Sequence, residues 1–278
     1  MAIVRKEDKK PVDLSVKKAT DISDEGGNKK IMAVGMAGSG KTFQIRTLPG
    51  RKFVYVFDPN AVESLKGVEN IDYVEFYPQA TELDATIKGF NKGAKSDNLP
   101  AASKREPTVY MDWVEDLNAR VDAGFFDDYD WLCVDSLTLL YKAVMDRQLY
   151  INNRYGSIED LADYRVVGSK ISEVFRSVAS LNLGMYFTAH YTSFQDDKTK
   201  KITTELYLPG QAKLQLPLLM TDIWLFQAAS NGTTKKWVVQ TTPTRQSLQT
   251  IRCSKFGVEI EEDVTITATN KQGISRLL

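Results

Sequence analysis

Short apolar runs, each closing on a glycine or a polar residue, recur along the chain with amphipathic stretches between them. Ile31-Met32-Ala33-Val34 is the first such run and predicts a buried strand. Phe43, Ile45 and Leu48 then give the next segment one apolar side, and Pro49-Gly50 ends it, so a helix is expected there. Lys52 to Asp58 predicts a second buried strand that finishes on a carboxylate, and Ile71 to Tyr77 a third. A helix is expected around residues 81–91, followed by a surface insertion rich in Lys, Ser, Asn and Pro up to Pro107. Tyr129 to Ser136 is an apolar strand closing on Asp135, and Leu137 to Tyr150 has helical spacing. After a polar loop, Ser157 is the expected N-cap of the next helix, with Asp160 as its capping-box partner. Ile171, Val174, Phe175, Val178 and Leu181 make that helix's buried stripe. Gly184 to Ala189 is another interior strand, and it ends on His190. From Tyr191 on, alternating segments separated by Asp196-Asp197-Lys198 and Asn231-Gly232 predict hairpins. Buried strands alternating with helices predict an α/β fold: a central, mostly parallel sheet flanked by helices, followed by a β-hairpin extension. Residues 1–28 read as a flexible polar arm, 29–256 as one domain, and 257–278 as a C-terminal tail.

Composition narrows the setting. At 278 residues with 42% hydrophobic content, the chain is long enough to bury one large core. Lys+Arg and Asp+Glu both count 36, so no global field draws the protein to nucleic acid or to an anionic membrane, and any DNA contact must come from local patches. The two cysteines, Cys133 and Cys253, sit in strand-like contexts, which points to a reducing cytoplasm. With one histidine beside them they make no zinc site. No apolar leader region or bilayer-length apolar stretch is visible, so neither export nor membrane insertion is expected. The lysines of the arm read as a solvated tail in preference to a nucleic-acid tether.

One motif carries specific chemistry. Gly35-Met36-Ala37-Gly38-Ser39-Gly40-Lys41-Thr42 has the form GxxxxGK[ST], between the first strand and the first helix, with Phe43 next. Its glycines let successive backbone N–H groups converge on phosphate oxygens. Lys41 is expected to reach the β and γ phosphates of a nucleoside triphosphate, and the Thr42 hydroxyl to take one position on Mg²⁺. Asp135, at the end of its strand, is the expected carboxylate behind the metal.

Taken in order, GMAGSGKT, FDPN, WLCVDS and MYFTAH resemble the RecA-like P-loop ATPase core. The wider layout, with Leu208-Pro209-Gly210 and Arg252-Cys253-Ser254-Lys255, looks most like the fourth of the Sak groups, small phage ATPases that promote single-strand annealing. The resemblance covers residues 30 to about 256. It implies ATP and Mg²⁺ as cofactors and His190 as the sensor of the γ-phosphate. Asp58 is implied as the water-orienting carboxylate, where relatives carry a glutamate of longer reach. Arg252 or Lys255 is implied as a charge supplied to a neighbouring subunit's transition state. It further implies assembly into a ring or filament, single-stranded DNA as partner, and a single-strand-binding protein as a further one. The loops around 150–157 and 191–205 fall where DNA-facing loops would, with Arg154, Tyr155, Phe194, Lys198, Lys200 and Lys201 offering charges and rings. Alternatives are a motor or loader in phage replication or packaging, and a slow-hydrolysing ATP switch or scaffold, suggested by Asp58-Pro59-Asn60. A small-molecule kinase is disfavoured because no arginine-rich lid segment is visible.

Overall fold

The computed structural model describes residues 29–78 and 106–278, apart from 196, 199, 201, 209, 232, 233, 245, 246 and 269. The arm over 1–28, the helix expected at 81–91, nearly all of the insertion before Pro107, and Lys201 lie outside the described residues.

Within them the elements run β1 (Lys30–Gly35), α1 (Lys41–Gln44), β2 (Lys52–Val56), α2 (Ala61–Leu65), β3 (Ile71–Glu75), α3 (Val109–Asp122), β4 (Trp131–Asp135) and α4 (Leu137–Ile151). They continue as α5 (Leu161–Val178), β5 (Gly184–Ala189), β6 (Tyr191–Gln195), β7 (Ile202–Leu206), α6 (Ala212–Leu218), β8 (Asp222–Asn231), β9 (Thr234–Gln240) and β10 (Glu261–Asp263). One sheet has the order β10-β9-β8-β1-β5-β4-β2-β3, and β6 with β7 forms a second. From β8 to β3 every pairing in the large sheet is parallel, while β9 and β10 join antiparallel. The hairpin extension thus takes two forms. The β6–β7 hairpin stands apart, whereas β8, the first strand of the second hairpin, pairs with β1 and widens the main sheet.

Buried strands present alternate residues to the two faces of the sheet. Met32, Val34, Phe53, Tyr55, Leu132, Val134, Met185 and Phe187 pack on one side against α3, α4 and α5. Ile31, Ala33, Val54, Val56, Cys133, Tyr186 and Trp224 pack on the other, against α1, α2 and the end of the chain. The residues after 256, expected as a tail, belong to this second layer: Val264, Ile274 and Leu277 are almost fully buried. Gln44, the last residue of α1, ties them down by donating from Nε2 to the Val264 carbonyl at 2.7 Å and accepting from the Ile274 N–H at 3.1 Å.

One local expectation is corrected. The cap of α5 is Asp160, not Ser157, and its box partner is Asp163. Asp160 accepts from the backbone N–H groups of Ala162 and Asp163, and Asp163 accepts from that of Asp160. Ser157 stays in the loop because Arg154 folds across it, donating to Asp160, Asp163 and the Ile158 carbonyl. Gly156, with φ of 83°, allows the tight turn this needs.

Candidate active site

β1, β5 and β4 run side by side and end at the same edge, so their C-terminal residues converge. The loop Gly35 to Thr42 wraps over the end of β1. Gly38 and Gly40 have φ of 76° and 92°, a left-handed conformation that an L side chain adopts at a cost. Gly35 is constrained differently: a Cβ there would stand 2.7 Å from the Phe226 carbonyl oxygen.

Lys41 is buried and donates from Nζ to the carbonyls of Gly35, at 2.7 Å, and Met36, at 2.9 Å. Thr42 Oγ1 donates to Asp135 Oδ2 at 2.6 Å, across the intervening β5. Thr188 of β5 donates to the other oxygen, Asp135 Oδ1. The Tyr186 hydroxyl, one turn of the pleat earlier, holds the Lys41 carbonyl at 2.9 Å. His190 is half-buried just past β5, and Thr138 at the start of α4 fixes it: the Thr138 hydroxyl accepts from the His190 backbone N–H at 3.1 Å and lies 3.3 Å from ring Nδ1. Asp58 is placed after β2 by the Asp135 carbonyl, which accepts from the N–H groups of Phe57 and Asp58. Its Oδ1 accepts from the Asn60 backbone and side-chain amides at 3.0 and 3.3 Å.

Burial dominates the electrostatics. It pulls the Lys41 ammonium down to about 8, while Asp135 and Asp58 oppose the shift. Burial likewise pushes the Asp135 carboxyl up, against the hydrogen bonds from Thr188 and Thr42 and the Lys41 charge. His190 is pulled below the ordinary histidine value by burial and then by Lys41, with Asp58 opposing, which leaves a neutral ring at pH 7. One lysine, two carboxylates and one histidine thus share a single electrostatic neighbourhood.

A family model described as an AAA domain matches residues 27–252. The chain belongs to the AAA domain family. No curated protein matches the sequence. Membership makes this a P-loop NTPase-type ATPase domain, and the α/β sheet described above is that of such a core. The family implies a nucleotide, usually with Mg²⁺, and the residues at the strand ends fit both. A hydroxyl and a buried carboxylate in contact are the oxygen donors a hard cation takes, the remaining positions falling to water and phosphate. Among the described residues no group of three or more His, Cys, Asp and Glu could hold a metal ion. Ser39 Oγ, within the AAA domain's loop, is buried and lacks a partner, an orphan that a phosphate oxygen would satisfy. Among the described residues no helix is long and apolar enough to cross a membrane.

The other sequence-predicted residues fall elsewhere. Phe43 follows the loop on α1, half-buried and nearly parallel to the Trp237 ring. Arg252 bridges to Ile223 near the start of β8, at the edge of the sheet opposite the loop, and its guanidinium donates to the carbonyls of Pro217 and Met220. Lys255 is exposed and donates to the Arg276 carbonyl at 2.6 Å. Neither lies with Lys41 and Asp135 in this chain. Arg154 is occupied by Asp160 and Asp163, and Tyr155 beside it is half-buried. Phe194 is 47% exposed on β6, and Lys198 and Lys200 are exposed at the turn of that hairpin. Thr188, Tyr186 and Thr138 escaped the sequence reading. Thr188 was legible as the residue two before His190 in the same apolar run, whereas nothing local marks a tyrosine whose hydroxyl meets a backbone carbonyl 145 residues away.

Proposed function

We propose that the chain is an ATP-hydrolysing, RecA-like protein that binds single-stranded DNA and promotes phage-type homologous recombination by strand annealing, assembling as a homo-oligomer around bound ATP and Mg²⁺. The observation that carries this reading is the path out of the ATPase site. His190 closes β5 beside Lys41 and passes directly into β6, and the backbone N–H of Tyr207, at the far end of the same hairpin, donates back to the His190 carbonyl at 2.8 Å. A contact between His190 and the terminal phosphate would therefore act on both roots of a hairpin that presents Phe194 and lysines to solvent, the chemistry of a sequence-tolerant single-strand binder.

The test is ATP turnover and sedimentation with and without a single-stranded oligonucleotide, for the native protein and Lys41→Ala. DNA is expected to raise turnover or change oligomeric state in the native protein only. If the native protein neither binds the oligonucleotide nor responds to it, the recombination reading is wrong. One observation favours the slower variant of this function: Asp58 Oδ1 is held by Asn60, which limits a carboxylate that is already short for orienting water. ATP would then serve mainly as an assembly switch, seen as tight binding with negligible turnover in the same assay.

A further inference from the structure

The phosphate loop accounts for one half of a nucleotide, and the other half needs a surface. Trp237 of β9 stands beside that loop. A Cβ placed on Gly40 would lie 2.6 Å from its Cδ1 and 3.1 Å from its Nε1, so the indole edge abuts the last glycine before Lys41. β9 reaches this position because β8 pairs Phe226 with Gly35, and Trp237 pairs with Ala228, two residues further toward the edge where the loop sits. Trp237 differs from the other tryptophans: Trp113, Trp131 and Trp224 are almost fully buried, whereas it is partly exposed. Phe43, the residue that follows Lys41-Thr42, lies with its ring centroid 6.3 Å from that of Trp237 and its plane 21° away. Lys235 places its ammonium 5.2 Å from the same indole. The indole N–H is buried without an acceptor, as are those of Trp113 and Trp224, so position and exposure, not the orphaned N–H, set Trp237 apart.

We infer that Trp237, backed by Phe43, is the platform on which the aromatic base of the bound nucleotide stacks. The inference rests on the nucleotide reading of the P-loop. Phe43 directly follows Lys41-Thr42, so a nucleotide whose phosphates sit on the loop would meet, at the loop's border, two nearly parallel rings and a cation. Stacking uses the π face that every base possesses, so the platform accepts an aromatic base without selecting among bases.

The experiment compares the native protein, Trp237→Ala and Trp237→Phe for binding of ATP and of inorganic tripolyphosphate, which has the phosphates and lacks the base. Circular dichroism and thermal melts check that the variants fold. Trp237→Ala is expected to weaken ATP by about tenfold, within the range of base–aromatic stacking, while tripolyphosphate binding stays unchanged. Trp237→Phe is expected to recover most of the loss. Intrinsic fluorescence of the native protein should change on adding ATP, and that change should vanish in Trp237→Phe. If Trp237→Ala weakens ATP and tripolyphosphate equally, or weakens neither, Trp237 is a buttress of the loop and the base platform is refuted. If the native protein binds neither ligand, it is the nucleotide reading that fails.

Discussion

Asp135 is a carboxylate with almost no exposure, reached by two threonine hydroxyls and lying in the field of the Lys41 charge, and its burial disfavours the charged form that metal binding requires. The sign follows from linkage: its pKa is raised on folding, so above that pKa the folded state has given up a proton at a cost in stability. Asp135→Asn keeps an acceptor oxygen for one of the two threonines and reverses the other contact, its amide N–H donating to that hydroxyl, without the charge. Its melting temperature is therefore expected to equal or exceed that of the native protein, while ATP turnover falls by at least about a hundredfold. Calorimetry alongside a phosphate-release assay checks both halves, and a large loss of stability would contradict the account. Lys41 makes the complementary case. Because burial brings its ammonium down to about 8, a growing fraction is neutral as pH rises through that value. ATP affinity is expected to fall between pH 7.5 and 9.5 with a slope approaching about one decade per pH unit, and Lys41→Arg, charged throughout, should flatten the profile. Titrations at fixed ionic strength measure it.

The helix that follows the phosphate loop is short, four residues before a 3-10 turn over Ile45–Thr47, and the sequence pattern alone makes it look self-sufficient. Its support comes from the far end of the chain. Gln44 is 1% exposed and joins Val264 and Ile274, while Thr47 Oγ1 accepts a second bond from the Ile274 N–H at 3.2 Å. Gly273 must be glycine for this approach, since a Cβ there would meet Gln44 Oε1 at 2.3 Å. Gln44→Ala leaves a buried carbonyl without its donor and weakens the hold on Ile274, and should cost about 1–3 kcal/mol, read from the denaturant midpoint. ATP affinity should fall with it, because α1 carries Lys41 and Thr42. A stability change within about 0.5 kcal/mol would show that the C-terminal segment only rests on α1. Ser157 shows the same limit on a smaller scale. Residue type and spacing predicted a capping box there, yet the network of Arg154 with Asp160 and Asp163 shifted the helix start by three residues.

Over the whole molecule, positive and negative charges balance, so attraction to DNA has to be local. If the β6–β7 turn supplies the phosphate contacts through its two to three lysines, the slope of log affinity against log salt should be about −1.4 to −2 per protomer, at about −0.7 per contact on a single strand. Anisotropy of a labelled oligonucleotide over a salt series measures it, and a slope of −5 or steeper would place the DNA on a broader surface. The strands, the phosphate loop and Asp135 were legible in the chain itself. A buried parallel strand must be a short apolar run, and a loop that binds phosphate through its backbone must be rich in glycine, so local residue choice carries that information. Sequence alone therefore determined an α/β ATPase core with Lys41, Thr42 and Asp135 as its expected chemistry. What only the tertiary structure decided was which distant segments meet. β8 closes beside β1, Tyr186 and Thr188 reach the loop and its carboxylate, residues after 256 brace α1, and Trp237 abuts Gly40. Those contacts depend on sheet order and register, which pair residues far apart in the chain and leave no local periodicity to read.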